Sequence, residues 1–208
     1  MMMTENKTLS VPENSIHQDL REVRNNILFE LEKKNYKTLL LSATTENENQ
    51  TQMSLDLARS ISLAEKKVLL VDTDLENQQL SLLLESTDEA GLTEAILNDD
   101  SSDKLIMHTT SDGLDFLPAG AKVDDSAKLL QGHRLLPALG SVIQAYDYVI
   151  CDGPAMNGDS SIPFFADSVD AVLFVLRQRV TSQTRSLAAI KKLKAFGANV
   201  IGSVYTIG

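Results

Sequence analysis

The chain has 208 residues, a net charge of −10 and a single cysteine, Cys151. The length suits one ordinary domain with its own core. The charge argues against a nucleic-acid binder and against docking on anionic lipid through a basic patch, and the lone cysteine excludes an internal disulfide framework and fits a cytoplasmic protein. No apolar run reaches the roughly 18 residues of a membrane span, and Met1–Glu13 lacks the cationic start and apolar run of a secretory signal.

In chain order, residues 1–13 read as a flexible tail and residues 14–208 as a single domain. A helix is expected over Ser15–Lys34, with Ser15 as N-cap and Ile16, Leu20, Val23, Ile27 and Leu31 along one face. Thr38–Ala43 reads as a buried strand, residues 44–51 as a loop and Thr51–Glu65 as an amphipathic helix. Strands follow at Lys67–Asp72, Leu114–Pro118, Tyr148–Asp152, Ala171–Leu176 and Val200–Tyr205, and helices at Leu92–Asn98, Ser126–Ala145 and Ser182–Phe196. The segment Asn98–Ser102 is expected to be the most mobile internal loop. Val68–Val71 and Ala171–Leu176 are unbroken apolar runs, the mark of strands covered on both faces of a parallel sheet. The alternation predicts an α/β three-layer domain with a mostly parallel central sheet. Ligands of such sheets sit at the carboxyl ends of the strands, where the loop at 44–51, Asp72, Asp74 and Asp152 all fall.

The loop Thr44–Thr51 occupies the frame of a phosphate-binding loop, G-x-x-x-x-G-K-[ST], between a strand and a helix, yet only its final Thr51 fits; the first glycine of the chain is Gly91. In a working loop, glycines let backbone N–H groups converge on phosphate, a lysine reaches the β- and γ-phosphates and a Ser/Thr hydroxyl ligates Mg²⁺. Two acidic strand ends complete such a site, and both are present: the D-x-D of Asp72 and Asp74, and Asp152 followed by Gly153-Pro154. Each alone is also an ordinary turn starter. Thr51 could equally be a simple helix N-cap, and Cys151 in its apolar strand reads as a buried, inert thiol. His17, His108 and His133 lack ligand spacing.

In this order and spacing the segments resemble the bacterial tyrosine kinases of capsule and exopolysaccharide assembly, within the deviant P-loop ATPases that include the cell-division and partitioning ATPases. Gln18-Asp-Leu-Arg21-Glu-Val-Arg24 is similar to the first helix of that family, whose E-x-x-R-x-x-R pattern mediates ring-like self-association. Thr38–Ala43, Asp72 with Asp74, Leu117-Pro-Ala-Gly120, Asp152 and Gly197–Tyr205 match successive family segments. The resemblance implies a P-loop NTPase-like fold. It implies a nucleotide site at Glu46, Asn47, Glu48, Asn49, Gln50, Thr51 and Gln52, with Gln50, Asp72, Asp74 and Asp152 at the catalytic positions. The Mg²⁺ positions would be Thr51, Asp72 and Asp152, and the oligomer contact Gln18, Arg21 and Arg24.

The departures matter as much. The phosphate-loop lysine is Gln50, the preceding glycine is Asn49, and Glu46 and Glu48 add acid. The arginine after D-x-D is Glu76, the Asn-Pro near the base is Asp125-Ser126, the leading Glu of the association pattern is Gln18, and the C-terminal tyrosine cluster is missing. A unit charge at about 8 Å and an effective dielectric of about 20 contributes roughly 2 kcal/mol, so three unfavourable changes facing a triphosphate weaken binding by orders of magnitude. Phosphoryl transfer should suffer more.

Three functions compete. One is a non-catalytic relative of the kinases, a regulatory or assembly component of polysaccharide export. Its partners would be a membrane polysaccharide co-polymerase or chain-length regulator, itself, or a kinase paralogue, and no nucleic acid; it would be cytoplasmic and recruited to the inner face of the membrane through a partner. No cofactor is expected to bind tightly, Mg-ATP being the one if any does. The second is an active kinase or ATPase with a non-standard loop and a substitute cation such as Lys66, Lys122 or a neighbouring subunit's arginine. The third is a partitioning- or division-type regulatory ATPase.

Overall fold

The computed structural model describes residues 8–11, 18–45, 48–98, 102–130, 134–156 and 166–207, with the side chain of Ala127 left aside. Seven strands make one sheet: β1 (Thr38–Ala43), β2 (Val68–Asp72), β3 (Met107–His108), β4 (Leu114–Leu117), β5 (Tyr148–Asp152), β6 (Ala171–Arg177) and β7 (Val200–Thr206). Their order is β3-β4-β2-β5-β1-β6-β7. All neighbours run parallel except β3 and β4. The helices are α1 (Gln18–Lys34), α2 (Gln50–Ser62), α3 (Gln79–Leu83), α4 (Leu92–Asn98), α5 (Ser126–Leu130), α6 (Leu135–Leu139) and α7 (Gln183–Ala195).

The strand sequences explain the layering. Successive strand side chains point to opposite faces. Leu39, Leu41, Val68 and Leu70 join Leu31 of α1 and Leu57 and Ile61 of α2 in one core. Leu40, Leu69 and Val71 join Leu92, Leu130, Leu135, Leu139, Ala189 and Leu193, from α4 to α7, in a second. Every residue of β1, β2 and β5 is buried, which is why these strands read as unbroken apolar runs. The entry to β1 is braced by Asp170, whose Oδ2 accepts from Lys37 N, Thr38 N and Thr38 Oγ1, each at 2.8 Å.

Two expectations are corrected, two short elements are added, and some expected positions fall outside the described residues. The helix expected over Ser126–Ala145 is broken among its described residues: α5, then α6, then a 3₁₀ turn at Gly140–Ala145 that starts where Gly140 takes φ 52. The five-residue α3 and two-residue β3 were too short to leave a periodic signal. The flexible tail expected at 1–13 is docked at residues 8–11. There Leu9 and Val11 are buried, Leu9 N donates to His108 O at 2.9 Å and Thr110 N to Leu9 O at 2.8 Å. Ser15, Ile16, His17 and His133, together with residues 99–101 of the expected mobile loop, lie outside the described residues. No helix among the described residues is long and apolar enough to cross a membrane.

Candidate functional site: a carboxylate cluster without its cation

The parallel pairing of β2 with β5 sets Asp72 directly opposite Asp152 at the carboxyl end of the sheet. Both side chains are buried, at 0% and 1% exposure. Burial, together with the facing Asp152, pushes the Asp72 carboxyl up to about 8, although the bonds from Ser81 oppose the rise. Burial likewise raises Asp152 to about 6, against hydrogen bonds from Ser54, Gln50 and Thr51 that favour its ionised form. Asp72 is fully engaged: Oδ2 accepts from Ser81 N at 2.8 Å and Ser81 Oγ at 2.7 Å, and Oδ1 from Asp74 N at 3.1 Å. Asp74 is also raised by burial. Its Oδ1 accepts from Asn77 N at 3.1 Å, and so it caps the turn leading into α3.

The loop residues turn inward on this cluster. Asn49 takes φ 58, the left-handed conformation a glycine would adopt without strain and asparagine tolerates better than most residues. It is the N-cap of α2, without a side-chain cap bond, so the expected cap at Thr51 falls inside the first helical turn instead. From there Gln50 directs Nε2 to Asp152 Oδ1 at 2.9 Å and to the Gly153 carbonyl. Ser54, one turn on, donates to the same Oδ1 at 2.6 Å. Asp152 Oδ2 is buried with no hydrogen bond of normal geometry, although the Thr51 hydroxyl is near enough to favour its charge. Glu48 is 1% exposed. Its carboxylate accepts from Thr44 N at 3.4 Å and from Thr45 Oγ1 at 3.2 Å, while its carbonyl accepts from Thr206 Oγ1 of β7 at 3.3 Å. Glu46 and Asn47 lie outside the described residues. Gln52 is turned to Asp56 one turn along α2, Nε2 to Oδ1 at 3.0 Å.

Two of the sequence departures meet. Glu76 Oε1 accepts from Ser126 N at 3.1 Å and from Ser126 Oγ at 2.6 Å. Ser54 and Ser81 are the participants that sequence reasoning missed; a serine inside a helix carries no signal of its own, and only the strand register and helix placement show that it faces a carboxylate. Of the expected oligomer contact, Gln18 and Arg21 are exposed on α1. Arg24 is half-buried and donates through Nη1 to the Ser60 carbonyl of α2 at 3.0 Å, so part of its fork is used within the chain. Lys66 faces Glu32 at 3.8 Å, near the amino ends of the strands and away from the carboxylates, so it cannot substitute for the missing lysine. Lys122 is exposed in the segment after β4. Burial, with Asp152 beside it, pushes the Cys151 thiol up to about 12, which makes it inert.

The donor set is a poor match to Mg-ATP. A phosphate-binding loop offers backbone N–H groups and a cation; here the Thr44 N–H faces a carboxylate and the residue at the lysine position is a neutral amide already bonded to Asp152. Among the described residues, no three His, Cys, Asp or Glu side chains are grouped to hold a metal ion.

A family profile described as "AAA domain" matches residues 47–183, most of the chain, and the chain belongs to that family. Its relatives include tyrosine-protein kinases of bacteria. It is 26% identical over 193 residues to the tyrosine-protein kinase etk of Escherichia coli (strain K12), a match covering 93% of this chain and 27% of the relative. It is 24% identical over 204 residues to the tyrosine-protein kinase YwqD of Bacillus subtilis (strain 168), covering 97% and 83%. The chain thus spans about a quarter of the first relative and most of the second. The solved kinase domain of Escherichia coli ETK superposes with a TM-score of 0.86 at 24% identity, over 100% of this chain and 85% of that one. The septum site-determining protein MinD of Pyrococcus horikoshii, solved with Mg-ADP, superposes at 0.65 and 22% identity over 81% and 70%. The three-layer, mostly parallel architecture expected from the sequence is therefore that of bacterial tyrosine-kinase domains and P-loop ATPases.

Proposed function

We propose that this protein is a non-catalytic relative of the bacterial tyrosine kinases, acting as a regulatory or assembly component of capsular or exopolysaccharide biosynthesis and export. The observation that carries the reading is Gln50: its amide stands at the lysine position and is bonded to Asp152 and to the Gly153 carbonyl. A triphosphate entering here would have to displace that amide and break the Glu48 contacts, and would meet carboxylates with no lysine between. At about 2 kcal/mol for each charge near 8 Å, the cost exceeds what a few loop contacts return.

On this reading residues 14–208 form one functional domain preceded by the segment 1–13, and no cofactor binds tightly. The protein works in the cytoplasm, held at the inner face of the membrane by a polysaccharide co-polymerase, and assembles with itself or with a kinase paralogue. The exposure of Gln18 and Arg21 on α1 supports an assembly contact there. Calorimetry with Mg-ATP and radiolabelled phosphate transfer by the pure protein test the reading: neither binding in the micromolar range nor transfer is expected, and either one overturns it.

A further inference from the structure

The two edges of the sheet are finished differently. At one edge β3 is two residues long, and residues 8–11 close it: Leu9 bridges Thr109, Leu9 N donates to His108 O at 2.9 Å and Thr110 N to Leu9 O at 2.8 Å. At the other edge β7 runs for seven residues, Val200–Thr206, with no charged side chain and no proline. Among the described residues no strand pairs with its outer side. Soluble proteins ordinarily shorten, charge or cover an edge of this kind, because its free N–H and C=O groups template another strand.

The pairing with β6 shows which groups are free. Thr206 O accepts from Gln178 N at 3.0 Å, so Thr206 faces β6, and Gly202 and Val204 share its direction by the two-residue repeat. Ser203 and Tyr205 therefore aim N–H and C=O away from the sheet. Both are exposed, Tyr205 at 69%. The side chains alternate too. Val204 is buried in the core beneath α1 and α2. On that face Val23 and Ile27 of α1 stand across a groove of about 210 Å³ from Leu173, Ile201 and Val204. Gly202 widens the groove, since a Cβ there would meet nothing within 4 Å. Ser203 and Tyr205 take the opposite face, the one that carries α7.

Charge distinguishes between possible strands. Residues 171–207, from β6 through β7, contain Arg177, Arg179, Arg185, Lys191, Lys192 and Lys194 and no aspartate or glutamate, in a chain of net charge −10. Arg177 lies opposite Thr206 in the register of β6 with β7, and Lys191 and Lys194 are exposed on α7. A second copy pairing β7 with β7 would bring two such basic units together, which like-charge repulsion disfavours. An extended segment with an apolar side chain for the groove and acidic side chains for the α7 face fits the free backbone groups, the groove and the charge at once.

We propose that β7 and α1 form a strand-addition groove for an extended acidic segment of a partner protein, which pairs with Ser203 and Tyr205 and seats an apolar residue between α1 and β7. The site lies at the sheet edge, two strands beyond β1, and does not depend on the non-catalytic reading.

Hydrogen exchange followed by NMR on the full chain tests this with an acetylated nonapeptide alternating valine and glutamate. Saturable binding with slowed exchange at the Ser203 and Tyr205 amides is expected, weakened by added salt. The same peptide with lysine for glutamate should bind at least about tenfold more weakly. Tyr205→Pro removes an outward N–H and no bond of the ladder with β6, and Gly202→Leu fills the groove. Each should weaken the peptide about tenfold or more, and each variant's amide spectrum reports its fold. The proposal is overturned by the absence of saturable binding, by protection that falls elsewhere than β7, by the lysine peptide binding as tightly, or by unchanged affinity in either folded variant. It is also overturned if sedimentation shows a dimer of the chain that Tyr205→Pro dissolves, since a second copy would then be the occupant.

Discussion

Asp152→Asn should stabilise the protein at alkaline pH. Folding forces a carboxyl that ordinarily ionises at 3.8 to wait until about 6. At any pH well above both values the charged group therefore costs the fold about 3 kcal/mol, at about 1.4 kcal/mol per pH unit. Its neighbour Asp72, raised to about 8 in part by the same charge, would be relieved as well. The direction follows from proton counting. Between the unfolded and folded values the native state holds protons that the unfolded chain has released, so the stability from these groups is full below 3.8 and is lost as pH rises through about 6 and about 8. Asparagine keeps the oxygen that accepts from Gln50 and Ser54 and removes the charge. Urea unfolding in the presence of a chelator should show the variant about 3 kcal/mol more stable near pH 8, with the gain shrinking below about 1 kcal/mol near pH 4.5. A variant less stable than the parent at pH 8, or a difference independent of pH, would refute the reasoning, because the hydrogen-bond network rather than the buried charge would then control the site.

Two further substitutions probe the supports around it. Ser81→Ala removes the hydroxyl that donates to Asp72 and accepts from Ala119 N at 3.0 Å; denaturation should show a loss of about 2 kcal/mol, larger at high pH because the hydroxyl favours ionised Asp72. Asp170→Ala leaves three donors at the entry of β1 without their acceptor and should cost about 3 kcal/mol by urea denaturation.

The sequence made the sheet legible wherever burial is uniform. β1, β2, β5 and β6 sit between two cores, so their apolar runs could be read without knowing their neighbours. Asp72 and Asp152 were legible as a pair for the same reason: both end such runs, and a parallel sheet brings strand ends together. What stayed hidden depends on partners from distant segments. Leu9 and Val11 look like tail until β3 and Thr110 are in place. Arg24 looks like free surface until α1 is set against the carbonyl of Ser60. Glu76 and Ser126 are two unrelated oddities in the sequence and one hydrogen-bonded pair in the structure. Ser126–Ala145 failed differently, because an apolar pattern continues across chain that Gly140 turns out of the helix.

The replacement of lysine by glutamine separates two roles that a phosphate-loop lysine combines. As a donor, Gln50 serves well: its amide satisfies Asp152 and the Gly153 carbonyl. As a charge it supplies nothing to offset the burial that makes Asp72 and Asp152 keep their protons to higher pH. Restoring the charge alone should therefore repair the carboxylates and not the nucleotide site. In Gln50→Lys, an ammonium about 4 Å from Asp152 at an effective dielectric of about 20 gains about 4 kcal/mol, which is offset by several kcal/mol of desolvation. Net stability at neutral pH should change little, while Asp152 returns to the ordinary carboxylate range and the decline of stability with rising pH becomes shallower. Mg-ATP should still fail to bind, because Glu48 keeps the Thr44 N–H and Asn49 stands where a glycine would be. Adding glycines at Glu46 and Glu48 frees the backbone donors, and calorimetry should detect Mg-ATP binding in that triple variant alone. Binding by the single variant would place the defect in the lysine only; no binding by the triple would place it in the surrounding frame, with Asn49 and the Glu76–Ser126 pair the next changes to reverse.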